Sequence, residues 1–498
     1  MSSTTASKAK SCYSCRRRKV KCDGGRPICG HCLKTPSGHD DCQYPDDGPS
    51  QADMLEAQVA VLEDRLAKLQ GPGEPVTLHN PHHRSAQHAT SPSSTREGRA
   101  ATMISEPPPQ TARVLLNAFV PYSNQLGFFM DRQRFLARIS NPMGHPDRPT
   151  ASLLHAIHLW GARFSRGGVD GYEERHFLAA ALHHLPKDLA NKRALLDIIQ
   201  AEVLISFYFL DIGKSVDGPY HSNSAVSLCL GARLNLVHSP DANAASVVDP
   251  GTDAERIRAF WTCLVLDNYW SIAHGSPSAL ESIKIDTPWP EEAFMVFTSR
   301  HSRDTVTSWL RGSSPGGTSV LSLNAKATIL MQRSSAVITR NRIEPNSRPS
   351  NPTVAAELQA LDHALQATKA QLLHIDRSRR DALFVVTDAL ICAGHARLHA
   401  PWIKSAKVSS MKCAAAVDSV AKAAHSFRPH DGAWISPIMA TLWPLLAELS
   451  LKFPEATPDG PFTGRSGAKA ILNAMAAHAS MEGAMLANYK RLKASIPA

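Results

Sequence analysis

Features that would place the chain in a membrane or outside the cell are missing from its sequence. No segment offers about eighteen uninterrupted apolar residues, the minimum for a membrane-spanning helix. The first ten residues, MSSTTASKAK, lack the apolar core of a secretory signal. We therefore expect a soluble intracellular protein. In that reducing environment, clustered cysteines bind metal more often than they form disulfides.

Signatures of common enzyme classes are missing as well. The chain contains no G-x-x-x-x-G-K-[ST] phosphate loop, no G-x-G-x-x-G after a strand and no H-E-x-x-H zinc motif. The first two motifs cradle phosphates, and the third supplies two metal ligands and a general base. We expect no enzyme activity.

Strand patterns are also scarce beyond residue 112, where helical periodicity dominates. Residues 252–275 begin with Thr252 and Glu255, the spacing of a capping box, and end at a glycine. Other segments with helical patterns span 200–210, 220–237, 351–373, 380–398 and 466–493. We predict a mostly α protein in which residues 113–498 form a large all-helical region.

Isolated cysteines and histidines in this region are interpreted as core residues. His155 and His158 lie three positions apart on one apolar helix, where a histidine is more often a core residue with its hydrogen bonds satisfied than a ligand. Four cysteines lie in apolar stretches and are expected to be small buried hydrophobes: Cys229, Cys263, Cys392 and Cys413.

Positive charge and cysteine are concentrated near the N-terminus. The 498 residues carry a formal net charge of +10, with 54 Lys and Arg against 44 Asp and Glu. Nine Lys or Arg and one acid, Asp23, lie between Lys8 and Lys34, and six of the ten cysteines lie between positions 12 and 42. A basic segment of this kind suits a polyanionic partner.

The six cysteines have spacing typical of a metal site, C-x2-C-x6-C-x6-C-x2-C-x9-C. Two C-x2-C pairs let neighbouring sulfurs reach one tetrahedral zinc ion. One zinc would leave two cysteines over, and two separate zincs would need eight, so two zincs fit six thiolates if two sulfurs bridge. The repeat favours Cys12 and Cys29, the first residue of each half, as the bridges. The predicted ligands are Cys12, Cys15, Cys22, Cys29, Cys32 and Cys42.

Between two of these ligands lies the cationic run Arg16, Arg17, Arg18, Lys19 and Lys21. Nearby cations favour thiolate, but this run exceeds what charge compensation needs. Residues 15–21 contain no proline or glycine, so we predict a short helix there whose outer face enters a DNA major groove. The alternative interpretation of the cysteine-rich segment is a metal-buffering or redox tract. The alternative interpretation of the basic run is a nuclear localisation signal alone.

This pattern resembles the fungal binuclear zinc-cluster transcription factors, the Zn(2)-C(6) class. The resemblance rests on the six cysteines, the basic run up to Cys22, and Pro27 two positions before Cys29. It implies two bound zinc ions, nuclear location and regulation of RNA polymerase II-type transcription. It further implies that Lys19 reads a CGG-like triplet with Arg18 beside it, while Arg16 and Lys21 lie near phosphates. The nine-residue gap before Cys42 is longer than the family's more common six to eight.

A heptad pattern follows the cysteines over residues 52–70. Leucine repeats every seven residues, with an apolar residue four positions after the first two, which predicts a short coiled coil. Its position directly after the cysteines favours a dimerisation helix, as in the resembling family, and we expect a homodimer. Such short helices are marginal alone in water, and a lone amphipathic helix docked elsewhere is the alternative. The seam consists of Leu55, Val59, Leu62, Leu66 and Leu69.

The predicted organisation has four parts. Residues 8–46 form the zinc-cluster domain, 52–70 the dimerisation helix and 71–112 a flexible linker rich in Pro, Ser, His and Gly. Residues 113–498 form the regulatory region, of which 113–340 resembles the fungal-specific transcription-factor middle domain. We predict a zinc-dependent, sequence-specific DNA-binding regulator whose further partners are co-regulators or a small-molecule effector. The alternative is a helical ligand-sensing or interaction protein that uses its zinc module for protein contacts.

Overall fold

The structure is a computed structural model of the whole chain. Its contacts divide the chain into two units, residues 1–92 and 93–498. The structure describes residues 11–34, 42, 44, 59–60, 63, 105–165, 169–191, 194–237, 250–291, 306–347, 351–376, 381–426, 434–454, 462–478 and 483–496.

The first unit contains two short helices among its described residues, α1 over Tyr13–Arg17 and α2 over Gly30–Leu33, and residues 59, 60 and 63 are also helical. Helices α1 and α2 contact each other and enclose a small core of cysteines and Tyr44. This core holds few apolar side chains, so hydrophobic burial contributes little and a bound metal is the expected stabiliser.

The second unit is helical throughout its described residues. Its first eight helices are α3 (Pro109–Phe119), α4 (Arg132–Ile139), α5 (Ala151–Phe164), α6 (Glu174–Ala190), α7 (Leu195–Ile212), α8 (Asp217–Gly231), α9 (Pro250–His274) and α10 (Val306–Leu310). The remaining seven are α11 (Val320–Arg340), α12 (Pro352–Leu373), α13 (Ala382–His399), α14 (Lys407–Ser426), α15 (Met439–Ser450), α16 (Gly464–His478) and α17 (Ala484–Ser495). Short 3-10 segments span Val120–Leu126, Leu234–Leu236 and Ala400–Trp402. Among described residues no strand is present, and one isolated bridge joins Val169 and Tyr172.

Apolar burial on several faces holds these helices together. Helix α7 is buried along most of its length, which explains its nearly continuous apolar sequence, and it packs against α5, α8 and α9. Helix α11 packs against α9, α12 and α13. One continuous hydrophobic core extends from Leu115 to Leu492, so the second unit is a single helical body.

One helix crossing depends on a glycine. Gly161 in α5 faces the backbone of Leu115 in α3, and a Cβ at position 161 would lie 2.3 Å from the Leu115 carbonyl oxygen. No side chain fits at that distance, so the two helices approach closely only because residue 161 is glycine.

Several predicted boundaries differ from the structure. The helical region begins at Pro109, four residues before the predicted boundary. The predicted helix at 466–493 is two helices, because α16 ends at His478 and α17 begins at Ala484, after an N-cap Gly483 with φ +155. The segment 220–237 is α-helical only to Gly231, after which Arg233 adopts φ +55 and a 3-10 turn spans Leu234–Leu236.

The capping-box prediction was wrong. Helix α9 begins at Pro250, so Thr252 lies inside it. The Glu255 carboxylate instead accepts a hydrogen bond from the backbone N–H of Asp131 at 3.0 Å, and Arg134 donates to Thr252 Oγ1 at 3.3 Å. The side chains of Thr252 and Glu255 therefore bond to residues at the start of α4, and they do not form the capping box predicted at the start of α9. The predicted end at Gly275 is confirmed, with φ +69.

The isolated thiols and imidazoles lie in the core as predicted. The four cysteines outside the N-terminal cluster are at most 2% exposed, and His155 and His158 are 1% and 5% exposed. In the described ranges, no helix combines the length and apolar character needed to cross a bilayer.

A fourth enzyme motif, G-x-S-x-G, occurs once in the sequence, from Gly312 to Gly316. In hydrolases this motif marks a nucleophile on a sharp turn between a strand and a helix. Here the segment joins helix α10 to helix α11, and Gly316 lies against the Lys326 side chain. The strand that the hydrolase motif requires is missing from this part of the described structure.

Candidate zinc cluster and DNA-contact surface

The two C-x2-C pairs adopt the same local geometry. Cys12 and Cys29 are both extended N-cap residues, with φ/ψ of −62°/155° and −69°/149°. The backbone N–H of Cys15 donates to Cys12 Sγ at 3.4 Å, and that of Cys32 donates to Cys29 Sγ at 3.4 Å. A sulfur that accepts an N–H bond at a helix start is favoured as thiolate.

Sulfur separations across the halves fit a tetrahedral zinc site. The Cys12 and Cys29 sulfurs lie 3.8 Å apart, those of Cys12 and Cys32 3.9 Å, and those of Cys15 and Cys29 3.5 Å. Zn–S bonds of about 2.3 Å hold the sulfurs of a tetrahedron about 3.8 Å apart. Each of these three sulfur pairs therefore has the separation of two ligands on a shared zinc ion.

The two remaining cysteines also reach this group. Cys22 lies within ligand distance of Cys29, at most 4.8 Å between sulfurs. The Cys42 sulfur accepts a hydrogen bond from the Cys29 N–H at 3.3 Å and interacts with the thiols of Cys32 and Cys12. The long gap before Cys42 therefore does not keep its sulfur from the others.

Burial and neighbouring sulfurs set the electrostatics of the cluster. Burial raises the pKa of the Cys15 thiol, with Cys29 adding to the effect, and raises the pKa of Cys42 to about 12. Burial acts the same way on Cys32, but hydrogen bonds, first from Cys29, outweigh it and lower that thiol's pKa. Without a cation, part of the cluster favours neutral thiol, whereas zinc favours thiolate at every ligand.

The helix predicted over residues 15–21 has different bounds in the structure. Helix α1 spans Tyr13–Arg17, so it begins two residues earlier and ends four residues earlier than predicted. Lys19 adopts the left-handed φ of +53, its N–H donates to the Arg16 carbonyl, and the Val20 N–H donates to the Cys15 carbonyl. These two bonds form a Schellman motif with Lys19 at the position that glycine usually occupies. The chain therefore turns at Lys19 and leads back toward Cys22.

The basic run lies on the outside of this turn. All five cations that the sequence assigns to DNA contact are exposed, whereas Val20 between them is partly buried and packs on the cluster. They form one positive surface, which we call the basic face: Arg16, Arg17, Arg18, Lys19 and Lys21. Positive charge at a helix end on a compact support is suited to phosphates and base edges.

Sequence reasoning missed Tyr44. Its ring is 1% exposed, its hydroxyl donates to the Gly25 carbonyl at 2.8 Å, and it lies 3.8 Å from Cys22 Sγ. The Arg26 guanidinium covers the ring at 4.6 Å, and the Arg26–Pro27 peptide bond is cis. An aromatic residue two positions after the last cysteine, in an otherwise polar stretch, was the available signal.

Asp23 was also missed, because it appeared only as the single acid in a basic segment. Its carboxylate accepts hydrogen bonds from the N–H groups of Gly30, at 3.0 Å, and Gly25, at 3.3 Å. A Cβ at position 30 would lie 2.6 Å from that carboxylate. Asp23 thus ties the loop between the halves to the start of α2.

The predicted dimerisation seam lies almost entirely outside the described residues. Val59 is helical and 52% exposed, and the other four seam residues and nearly all of the predicted linker fall outside the described ranges. The coiled coil stays a prediction.

Two family models match the chain. Residues 116–373, about half of the chain, match the fungal specific transcription factor domain. Residues 10–49 match the fungal Zn(2)-Cys(6) binuclear cluster domain, which includes all six clustered cysteines.

Curated relatives come from fungi. A notoamide biosynthesis cluster transcriptional coactivator from Aspergillus versicolor is 28% identical over 301 residues, 54% of this chain and 53% of the relative. A citrinin biosynthesis transcriptional activator from Monascus ruber is 26% identical over 324 residues, 56% of this chain and 63% of the relative. An abscisic acid cluster transcription factor from Leptosphaeria maculans is 43% identical over 63 residues, 11% of this chain and 10% of the relative. The chain thus spans less than two-thirds of each of these proteins.

Proposed function

This chain belongs to the fungal specific transcription factor family, and from that premise we propose that it is a sequence-specific DNA-binding regulator that reads CGG-like triplets as a homodimer. Its family and relatives are transcription regulators, not enzymes, and the cysteine cluster binds zinc. The observation that carries the proposal is the basic face, built on a turn whose two ends are candidate zinc ligands.

Two zinc ions bound to six thiolates are the proposed cofactor. Cys12 and Cys29 would bridge the ions, Cys15 and Cys22 would complete one tetrahedron, and Cys32 and Cys42 the other. Zinc bonds replace the apolar core that about thirty residues cannot form, so metal binding is also folding. The cluster would thereby hold the basic face rigid before DNA arrives.

Base reading and phosphate binding are divided along the basic face. Lys19 and Arg18, at the turn, are proposed to reach base edges of a CGG-like triplet, where lysine and arginine recognise guanine O6 and N7. Arg16 and Lys21, on either side, are proposed to contact phosphates and position the module.

The proposed dimer follows from the small size of the module. About three base pairs at about 1–3 kcal/mol each cannot select one site in a genome. Linking two modules through the heptad at 52–70 adds a second half-site and raises the effective concentration. Nuclear location and an RNA polymerase II-type promoter follow from this function, with co-regulators and a small-molecule effector as further partners.

Binding-site selection from random duplex DNA tests the proposal. The full-length zinc-loaded chain should enrich two CGG-like triplets at a fixed spacing and retain them against nonspecific competitor in a gel shift. Enrichment of no sequence would favour the alternative, a helical ligand-sensing or interaction protein whose zinc module contacts proteins.

A further inference from the structure

A cavity of about 520 Å³ lies inside the helical unit, between α7, α9, α11 and the segment around Gly127. Its volume falls within the range of small-molecule sites, about 300–1,000 Å³. Five aromatic rings line it: Phe128, Phe129, Phe207, Trp261 and Tyr269. Walls of this kind suit a flat ring system, because ring faces and edges offer large contact areas to it.

Contacts behind the cavity hold two of its walls in place. The buried Gln200 amide accepts a hydrogen bond from the Phe129 N–H at 2.8 Å and donates to the Gly127 carbonyl at 3.1 Å. On the other side, Trp261 donates to the Pro288 carbonyl at 2.6 Å and stacks on Trp289 at 4.4 Å. The aromatic lining is therefore preorganised, and binding need not order it.

Residue 127 sets the shape of the cavity wall. Gly127 adopts φ +66, and a Cβ there would lie 2.6 Å from Thr262 Cγ2 and 3.2 Å from the Phe207 ring. Only glycine allows the backbone carrying Phe128 and Phe129 to turn this close to α7 and α9.

The polar lining indicates the charge of the occupant. One cation, Arg258, and one carboxylate, Asp381, line the cavity, so its charged lining is balanced. Arg258 donates to the Glu291 carbonyl at 2.6 Å, and the charges of Asp131 and Glu255 also act on it. Because carboxylates already surround the guanidinium, an anionic ligand would meet little net positive potential.

We propose that this cavity is the binding site of a neutral, ring-containing small molecule. It rests on the proposed function in one respect, because the molecule would be the effector of that regulator. The aromatic walls bind the rings, and the balanced charges disfavour anions.

Fluorescence titration of the full-length, zinc-loaded chain tests the site with two matched probes. N-phenyl-1-naphthylamine is neutral and carries one N–H, whereas 1-anilinonaphthalene-8-sulfonate has the same ring skeleton and a negative charge. We expect saturable binding of one neutral probe per chain, about tenfold tighter than the sulfonate. Equal or tighter sulfonate binding would overturn the neutral-ligand assignment.

Filling the cavity supplies the variant test. Leu321→Trp places a large side chain in the lining, and Thr339→Trp places the same side chain at an exposed position of the same helix, α11. Leu321→Trp should weaken the neutral probe at least about tenfold, and the control should not change it. Val265→Phe, from α9, repeats the test if Leu321→Trp has an altered thermal melt. Unchanged affinity in the folded variants would overturn the site.

A gel shift on the selected DNA separates this inference from the proposed function. If the parent chain binds the probe, Leu321→Trp does not, and the parent chain binds no specific DNA, the ligand site is supported but its role as an effector site is excluded. Specific DNA binding with no saturable probe binding would overturn the ligand site alone.

Discussion

The sulfur atoms of Cys12 and Cys29 lie 3.8 Å apart, although seventeen positions separate the two residues. Each is the N-cap of a short helix and accepts the N–H of the cysteine three positions later. Two equivalent half-sites therefore meet at the two residues proposed as bridging ligands. Several tests of the cluster and of the helical unit follow from contacts of this kind.

Zinc removal should unfold the cluster and leave the helical unit intact. Native mass spectrometry of the full chain should detect two zinc ions, and chelation should abolish specific DNA binding. All eight tryptophans lie beyond residue 113, so tryptophan fluorescence should not change. A stoichiometry of one zinc after refolding with excess metal would contradict the bridged cluster.

Substitution of Lys19 should remove site preference. Lys19→Gly deletes the side chain but suits the φ of +53, so the turn is preserved, whereas Lys19→Ala also strains it. Lys19→Gly should lose about 1–3 kcal/mol of discrimination against mutated triplets in competition gel shifts. Retained preference in a zinc-loaded Lys19→Gly chain would exclude base reading by this side chain.

Arg16→Ala and Lys21→Ala serve as the matched phosphate variants. Each should weaken binding to all sequences and reduce the log–log salt slope by about one, because one phosphate contact is lost. A selective loss on the specific site alone would contradict their assignment.

Tyr44 should control how strongly the cluster retains zinc. Tyr44→Ala removes a buried ring and should cost about 3–5 kcal/mol, seen as faster zinc transfer to a chromogenic chelator. Tyr44→Phe loses only the hydrogen bond to the Gly25 carbonyl, about 1 kcal/mol. Equal effects of the two substitutions would mean that the ring does not support the cluster.

Gly161→Ala should destabilise the helical unit. The added Cβ would lie 2.3 Å from the Leu115 carbonyl oxygen, so α3 and α5 must separate at a cost of about 1–3 kcal/mol. Gly231→Ala is the matched control in helix α8, because nothing lies within 4 Å of its new Cβ. Helix propensity predicts that the control stabilises the protein by up to about 1 kcal/mol. Urea midpoints followed by tryptophan fluorescence compare the two.

Acid should destabilise the helical unit partly through His158. Burial, and then the charges of His155 and Arg148, lower the pKa of His158 from 6.5 to about 3. Between these values the unfolded chain binds a proton that the folded chain does not, so stability falls as pH decreases, by at most about 1.4 kcal/mol per pH unit. The loss of folding stability due to His158 is absent above pH 6.5 and complete near pH 3.

The variant His158→Phe isolates this contribution. Its urea midpoint should change less between pH 6.5 and pH 4 than that of the parent chain. Part of the acid dependence should remain, because burial also lowers the pKa of His395 to about 4. His374→Phe, at an exposed position, controls for histidine loss, and a parent-like slope in His158→Phe would contradict the prediction.

Periodicity located most helices but not their ends. The apolar segment 200–210 lies in α7, and 351–373 agrees with α12, because apolar periodicity reports the buried face directly. Thr252 and Glu255 were misread as a helix start because their partners, Arg134 and Asp131, lie more than a hundred residues away. No local rule contains that contact.

Cysteine spacing and local charge determined the zinc-cluster motif and the family, because ligand spacing and charge density are properties of the chain itself. Only the tertiary structure decided the turn at Lys19, the burial of Tyr44 and the cavity bordered by Gly127. The burial of Tyr44 and the cavity arise where distant segments meet, at distances that the order of residues does not specify. The turn at Lys19 closes on Arg16 and Cys15, but no glycine in the basic run marks it.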